Sequence, residues 1–243
     1  MSTLSMNGIR RLRHRSDRAM DAVLSVRPPP KEKLRARKVV SRSKGRCTGK
    51  FPSPKVGRMM QWESPAERDA MKLIEADPHY VSYAEQPVVV RYRMDGHVRR
   101  HYPDLEVRWR GGKELQEVKT DEEAQDPEIR RRTALMARDL PLFGYGYRLV
   151  LASEIRSGPQ LGNADLLLKH GRVEVPMLQR EVLRRLFAAR GLLTWGEVTA
   201  GVPGRNTLRH VSRLILEGRV QYDRTQPIHE GTALRWVGPN PQE

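Results

Sequence analysis

The 243-residue chain has a single cysteine, Cys47, which excludes an intrachain disulfide and any zinc site built on cysteines. No local base accompanies Cys47 to make it a nucleophile. The seven histidines, at positions 14, 79, 97, 101, 170, 210 and 229, show no ligand spacing. No apolar run approaches the roughly twenty residues of a membrane span, and no signal peptide is visible, so a soluble chain in a reducing cytoplasm without a membrane partner is expected. Hydrophobic residues make up only 38% of the chain, as expected where part of it never joins a core. Acidic residues are scarce in one region alone: residues 1–58 hold 17 Lys or Arg against Asp17, Asp21 and Glu32. The rest is close to balance, so nearly all of the net charge of +16 lies in one arm.

That arm passes from Arg10-Arg11-Leu12-Arg13-His14-Arg15 through Pro28-Pro29-Pro30 to a second basic stretch. Little apolar periodicity runs through it, and a largely disordered segment that tracks phosphates is expected. Arg35, Arg37, Lys38, Arg42, Lys44, Arg46 and Lys50 are its candidate DNA contacts. A solubilising tail is the plainer reading of the same composition.

What is present in the middle of the chain is a pattern of acids. Pro103-Asp104 is followed by Glu117-Val118-Lys119 across Gly111-Gly112, a hairpin signal between two short strands, residues 101–109 and 114–119. A turn centred between the glycines predicts Asp104 opposite Lys119 and Glu106 opposite Glu117, with all four side chains on one face. Crowded carboxylates repel and resist desolvation, and a divalent cation that prefers oxygen resolves the conflict. Mg²⁺ is the natural occupant, with Mn²⁺ as its substitute, and such a site can hydrolyse phosphodiesters. Lys119 would orient or activate water, or offset transition-state charge. A solvated hairpin is the bland alternative for so short a motif.

Upstream, Ala66, Ala70, Met71, Leu73 and Ile74 recur at helical spacing over residues 66–75, with Ser64 as N-cap and Pro65 at the first turn. Glu67 then sits at the third helical position, where a capping box competes with any catalytic role. Residues 88–92 read as a strand, and Asp95-Gly96 turns it back toward Asp104. Residues 122–138 read as a charged helix with a basic face of Arg130, Arg131, Arg132 and Arg138, and residues 147–152 as a buried strand.

In order, Ser41-Arg42-Ser43, Thr48-Gly49-Lys50-Phe51-Pro52-Ser53, Met59-Met60-Gln61-Trp62-Glu63-Ser64, Glu67-Arg68-Asp69, Gln86-Pro87, Tyr102-Pro103-Asp104 and Glu117-Val118-Lys119 resemble TnsA, the endonuclease subunit of heteromeric transposases. The resemblance covers about residues 35–155. It implies a restriction-endonuclease-like mixed-sheet core flanked by helices, in a bacterial protein. There Glu67, Asp104, Glu117 and the Val118 carbonyl bind Mg²⁺ and Lys119 assists catalysis. Glu63, one helical turn before Glu67, competes for the role of first acid, and Gln86 is a further auxiliary candidate. Glu106 falls outside the motif. The implied partners are double-stranded DNA at transposon ends, a TnsB-like transposase that cuts the other strand, and a TnsC-like ATP-dependent regulator.

From Met177 the pattern changes. Three helical stretches, ended by Gly191, capped by Thr194 and begun at Asn206, precede two short strands around His229-Glu230-Gly231, which suggests a winged helix. Arg205, Arg209 and Arg213 are its candidate DNA contacts. The expected organisation is an arm over 1–58, an α/β catalytic domain over 59–157, a loose connection over 158–176 and a winged-helix-like domain over 177–243. A Mg²⁺-dependent nuclease cutting one strand at each transposon end is the leading expectation. A restriction or repair nuclease of the same fold and a non-catalytic DNA-binding regulator are the alternatives.

Overall fold

A computed structural model describes residues 20–36 and 47–238. Among the described residues the first elements are β1 (Ala22–Arg27), the hairpin β2 (Gly49–Ser53) and β3 (Arg58–Trp62), then α1 (Pro65–Ala76). Five strands follow: β4 (Ser82–Glu85), β5 (Val89–Met94), β6 (His97–His101), β7 (Leu105–Trp109) and β8 (Gly112–Lys119). Next come α2 (Pro127–Asp139), β9 (Gly146–Leu151), α3 (Ala152–Arg156) and α4 (Gln160–His170). The last part contains α5 (Met177–Arg190), β10 (Leu193–Thr194), α6 (Trp195–Thr199), α7 (Thr207–Leu216), β11 (Val220–Gln221) and β12 (Ala233–Trp236). The architecture is mixed α/β, and no helix among the described residues is long and apolar enough to cross a membrane.

The centre is a sheet in the order β4-β7-β8-β9, antiparallel except for the parallel pair β8-β9. Pleat alternation gives it two apolar faces. Leu105, Val107, Val118 and Val150 pack with Ala70, Met71 and Ile74 of α1 and with Phe51, Met60 and Trp62 of the β2-β3 hairpin. On the opposite face Leu115 packs with Leu135 and Met136 of α2, and with Val90, Tyr92 and Met94 of a second sheet ordered β1-β5-β6. Helix α1 starts where the sequence indicates, with the Ser64 hydroxyl accepting the Glu67 N–H at 3.1 Å and Pro65 in the first turn. Asp126 caps α2 in the same manner, its side chain accepting the Glu128 N–H at 2.7 Å.

Four expectations are corrected. The strand expected over 101–109 is two strands in two sheets, because Tyr102-Pro103-Asp104 carries the chain from β6 to β7. Proline has no N–H for a ladder and stands where pairing stops. The β7-β8 turn is Arg110-Gly111, with Trp109 opposite Gly112 and Leu105 opposite Gln116. The Trp109 indole lies so close over Gly112 that an added Cβ would stand 3.2 Å from its ring, so the aromatic-glycine pair closes the hairpin two residues tighter than expected. A shift of two keeps every side chain on its face. The arm is partly built into the fold: β1 pairs with β5 through a bulge between Val23 and Ser25 that hides its alternation, and the Val23 N–H donates to Asp139 at 2.8 Å. The connection over 158–176 contains α4, whose buried Asn163, Ala164, Leu167 and Leu168 have helical spacing.

Helix α4 joins the two halves. Ala164 and Leu168 belong to the core around α1, while Leu167 packs with Leu183, Phe187, Val211 and Leu214 of α5 and α7. Asn163 donates to the Gln226 carbonyl and accepts from the Ile228 N–H, both at 2.9 Å. Thr194 and Glu197 form a reciprocal capping box at α6, and β10 joins β12 and β11 in a three-stranded sheet.

Glu85, only 1% exposed, ties three segments together. Its carboxylate accepts from Arg35 at 2.5 Å, from Arg58 at 2.8 and 2.6 Å, and from the Gln61 N–H at 3.2 Å. Glu85→Ala strands two partly buried guanidinium groups and should cost about 3 kcal/mol, a fall in Tm of roughly 6–12 °C by calorimetry.

Candidate active site

Glu63, Glu67, Asp104, Glu117, Val118 and Lys119 line one open cleft of about 560 Å³, together with Cys47, Arg100, His101 and Glu123. Three elements meet there: the start of α1 brings Glu63 and Glu67, the β6-β7 crossing brings Asp104, and the end of β8 brings Glu117 to Lys119. Pro103 ends one sheet just before Asp104, whose Oδ2 accepts the Val118 N–H at 2.8 Å. Gln86 does not line the cleft. It is buried at a left-handed φ of 44°, donates its N–H to the Asp104 carbonyl at 2.9 Å, and thereby fixes the backbone that presents Asp104.

The carboxylates oppose one another. Burial raises the Asp104 pKa well above the usual carboxylate range, and the charges of Glu117 and Glu67 push it further. Glu67 is raised by burial in the same way, although its Oε2 accepts the Glu63 N–H at 2.8 Å and its side chain also meets Ser64. Glu67 therefore faces the cleft while its carboxylate holds the Glu63 N–H and the Ser64 hydroxyl at the start of α1. Its charge also acts on Asp104.

Glu117 is 4% exposed. Its Oε1 meets Lys119 Nζ at 2.9 Å and the Arg132 guanidinium at 3.2 Å. Among the described residues its Oε2 has no hydrogen-bond partner, and His101 Nε2 stands 3.4 Å away. Burial pulls the His101 pKa down to about 4, so the ring is neutral at pH 7 and that contact is not an ion pair. Burial also pulls Lys119 down, but Glu117 and Asp104 outweigh it and leave its pKa raised. Lys119 stays an ammonium at neutral pH, suited to holding negative charge rather than to taking a proton.

Among the described residues no three His, Cys, Asp or Glu side chains converge as a ready-made metal cluster. The chemistry of the acids nevertheless fits a hard divalent cation: Glu67, Asp104 and Glu117 offer carboxylate oxygens beside Cys47 and His101, the ionised state of Asp104 is only partly compensated, and Glu117 has a buried oxygen without a hydrogen-bond partner among the described residues.

Several candidates stand elsewhere. Glu106 pairs with Leu115 across the hairpin and gives its carboxylate to Arg108, because the turn is two residues tighter than expected. Arg35 is paired with Glu85 and Arg213 with Glu217 at 2.7 Å, each through its Nε. Arg205 and Arg209 are exposed at the start of α7, and Lys50 is exposed on β2. Arg37, Lys38, Arg42, Lys44 and Arg46 lie outside the described residues. The expected basic face of α2 divides: Arg131 pairs with Asp95, Arg138 with Asp139, and Arg132 turns inward to Glu117. The sequence carried a signal for that last contact, since Arg132 falls on the stripe of Leu135, Met136 and Asp139 at helical spacing. Tyr147, whose hydroxyl meets His101 Nε2 at 3.2 Å, had no such signal.

No protein-family model matches the chain, and no curated protein matches it.

Because the folded-state pKa of Asp104 is raised, the folded chain holds that proton more tightly than the unfolded one. Its contribution to stability falls as pH climbs from the unfolded value toward the folded one, and stays at the lower level above it. Asp104→Asn removes that penalty and should raise the metal-free Tm at pH 7–8 by about 2–4 °C, or roughly 1 kcal/mol. It should also flatten the pH dependence at mildly acidic pH; a lowered Tm in differential scanning calorimetry would contradict the repulsion.

Proposed function

We propose that the chain is a Mg²⁺-dependent DNA endonuclease with a restriction-endonuclease-like core and a winged-helix-like carboxy-terminal unit. The observation that carries this reading is the meeting of Glu67, Asp104 and Glu117 with Lys119 in one cleft, with Asp104 opposed by its neighbours and one Glu117 oxygen lacking a partner. Mn²⁺ serves as the substitute cation. The four-stranded mixed sheet between α1 and α2, with the acids at the ends of its elements, supports the core assignment. Three helices followed by β11 and β12 support the carboxy-terminal one.

In this reading Glu67, Asp104, Glu117 and the Val118 carbonyl hold the cation. When bound, it supplies Lewis-acid charge at the phosphate and a lowered pKa for the attacking water. The chain's own residues do the rest. Asp104 is held in place by the Val118 N–H and by the Gln86 link to its carbonyl. Lys119, kept protonated by Glu117 and Asp104, faces the charge that builds on the phosphoryl oxygens. The water oxygen bonds to phosphorus and gives up a proton to solvent as the bond to the leaving sugar oxygen breaks and that oxygen takes up a proton, giving a phosphate monoester and a hydroxyl without a covalent enzyme intermediate. Arg100 at the cleft, with Arg205, Arg209 and Lys50 exposed elsewhere, offers positive charge to the DNA backbone.

The ordered motifs that resemble TnsA extend the proposal to a biological setting: one strand is cut at each transposon end, together with a TnsB-like transposase and a TnsC-like ATP-dependent regulator. Transposon-end DNA with those partners and Mg²⁺ should be nicked by the wild-type chain. Asp104→Ala should fall to background and Lys119→Ala by about 10²–10³-fold. Equal nicking by wild type and Asp104→Ala, resolved on denaturing gels, would overturn the catalytic assignment.

A further inference from the structure

Glu117 is held from behind by side chains on three other elements. Arg132 of α2 reaches its Oε1 at 3.2 Å, with 17% of the Arg132 side chain exposed and its Nε buried. The same guanidinium lies against Tyr147 of β9. The Tyr147 hydroxyl meets Nε2 of His101 of β6 at 3.2 Å, and that nitrogen returns to Glu117 Oε2 at 3.4 Å. The ring of contacts closes on one carboxylate. Lys119 also sits 2.9 Å from Glu117 Oε1, so two cationic side chains hold the same oxygen.

We propose that Arg132, backed by Tyr147 and His101, is a positioning residue that holds the Glu117 carboxylate in one orientation for a divalent cation in the cleft. This rests on the nuclease reading of that cleft. A glutamate has three side-chain torsions, and fixing them in the folded chain removes an ordering cost from the binding step. Groups that orient a ligand from behind typically change metal affinity by about 10–100-fold when removed.

The direction of the effect separates positioning from charge. A guanidinium near a cation site repels the cation, so if Arg132 contributed charge alone, its removal would tighten binding. If it positions Glu117, removal weakens binding despite the lost repulsion. Mn²⁺ binding to the full chain without DNA, followed by the electron paramagnetic resonance signal of free Mn²⁺, distinguishes the two. Arg132→Met should bind about 10-fold more weakly, with a broadened signal from bound Mn²⁺ as Glu117 loses its single orientation. Arg132→Lys, which keeps one donor to Oε1, should recover part of the loss, and Tyr147→Phe should lose a smaller amount. Circular dichroism reports whether each variant folds. A folded Arg132→Met that binds as tightly as wild type, or more tightly, overturns the proposal. Where Arg132→Met does not fold, unchanged binding in both Arg132→Lys and Tyr147→Phe overturns it. Wild type that does not bind Mn²⁺, or Asp104→Ala that binds it equally well, would instead remove the nuclease reading and the positioning role with it.

Discussion

Repulsion between carboxylates in a protein-lined cleft is the constraint around which this structure is arranged. Asp104 is disfavoured as an anion first by burial and then by Glu117 and Glu67. The protein partly compensates at each member: the Val118 N–H serves Asp104, the Glu63 N–H serves Glu67, and Lys119 and Arg132 share one oxygen of Glu117. None of these satisfies Glu117 Oε2. A cluster that persists with such a deficit is strained as a purely structural feature, and functional sites are where strain of this kind concentrates.

The rest of the fold delivers these acids to one place. Pro103 ends one sheet and lets β7 begin another, which leaves Asp104 at the junction between them. Gln86 is locked beside it through its own backbone, and the neighbouring Glu85 anchors that point to Arg35 and Arg58. Helix α2, between β8 and β9, contributes Arg132 on a face otherwise given to Leu135 and Met136. Core packing and site geometry therefore share the same elements, and a change in register or helix phase would alter both.

Much of this was legible in the sequence because it depends on local chemistry. Ser64 and Pro65 mark the start of α1, Asp95-Gly96 forms a turn with both residues at positive φ, and Thr194 caps α6. The grouping of Asp104, Glu117 and Lys119 followed from pleat parity, which a two-residue shift in register leaves intact, whereas Glu67 was placed with them only by the resemblance. What escaped depends on contacts distant in sequence. The hairpin register is decided by the Trp109 ring over Gly112, β1 is masked by its bulge, and Tyr147 reaches the site through parallel pairing of β9 with β8. Charged side chains misled in a consistent way. Arg35, Arg132 and Arg213 read as solvent-facing cations, yet each is committed to a carboxylate.

The central claim, that the acid cluster is a divalent-cation site, is tested most directly by crystals grown with Mn²⁺ and measured at the manganese absorption edge. The account predicts one anomalous peak in the cleft within about 2.0–2.4 Å of an Asp104 oxygen and a Glu117 oxygen. Diffraction with no peak there at saturating Mn²⁺, or with Mn²⁺ bound only at unrelated surface carboxylates, would contradict it.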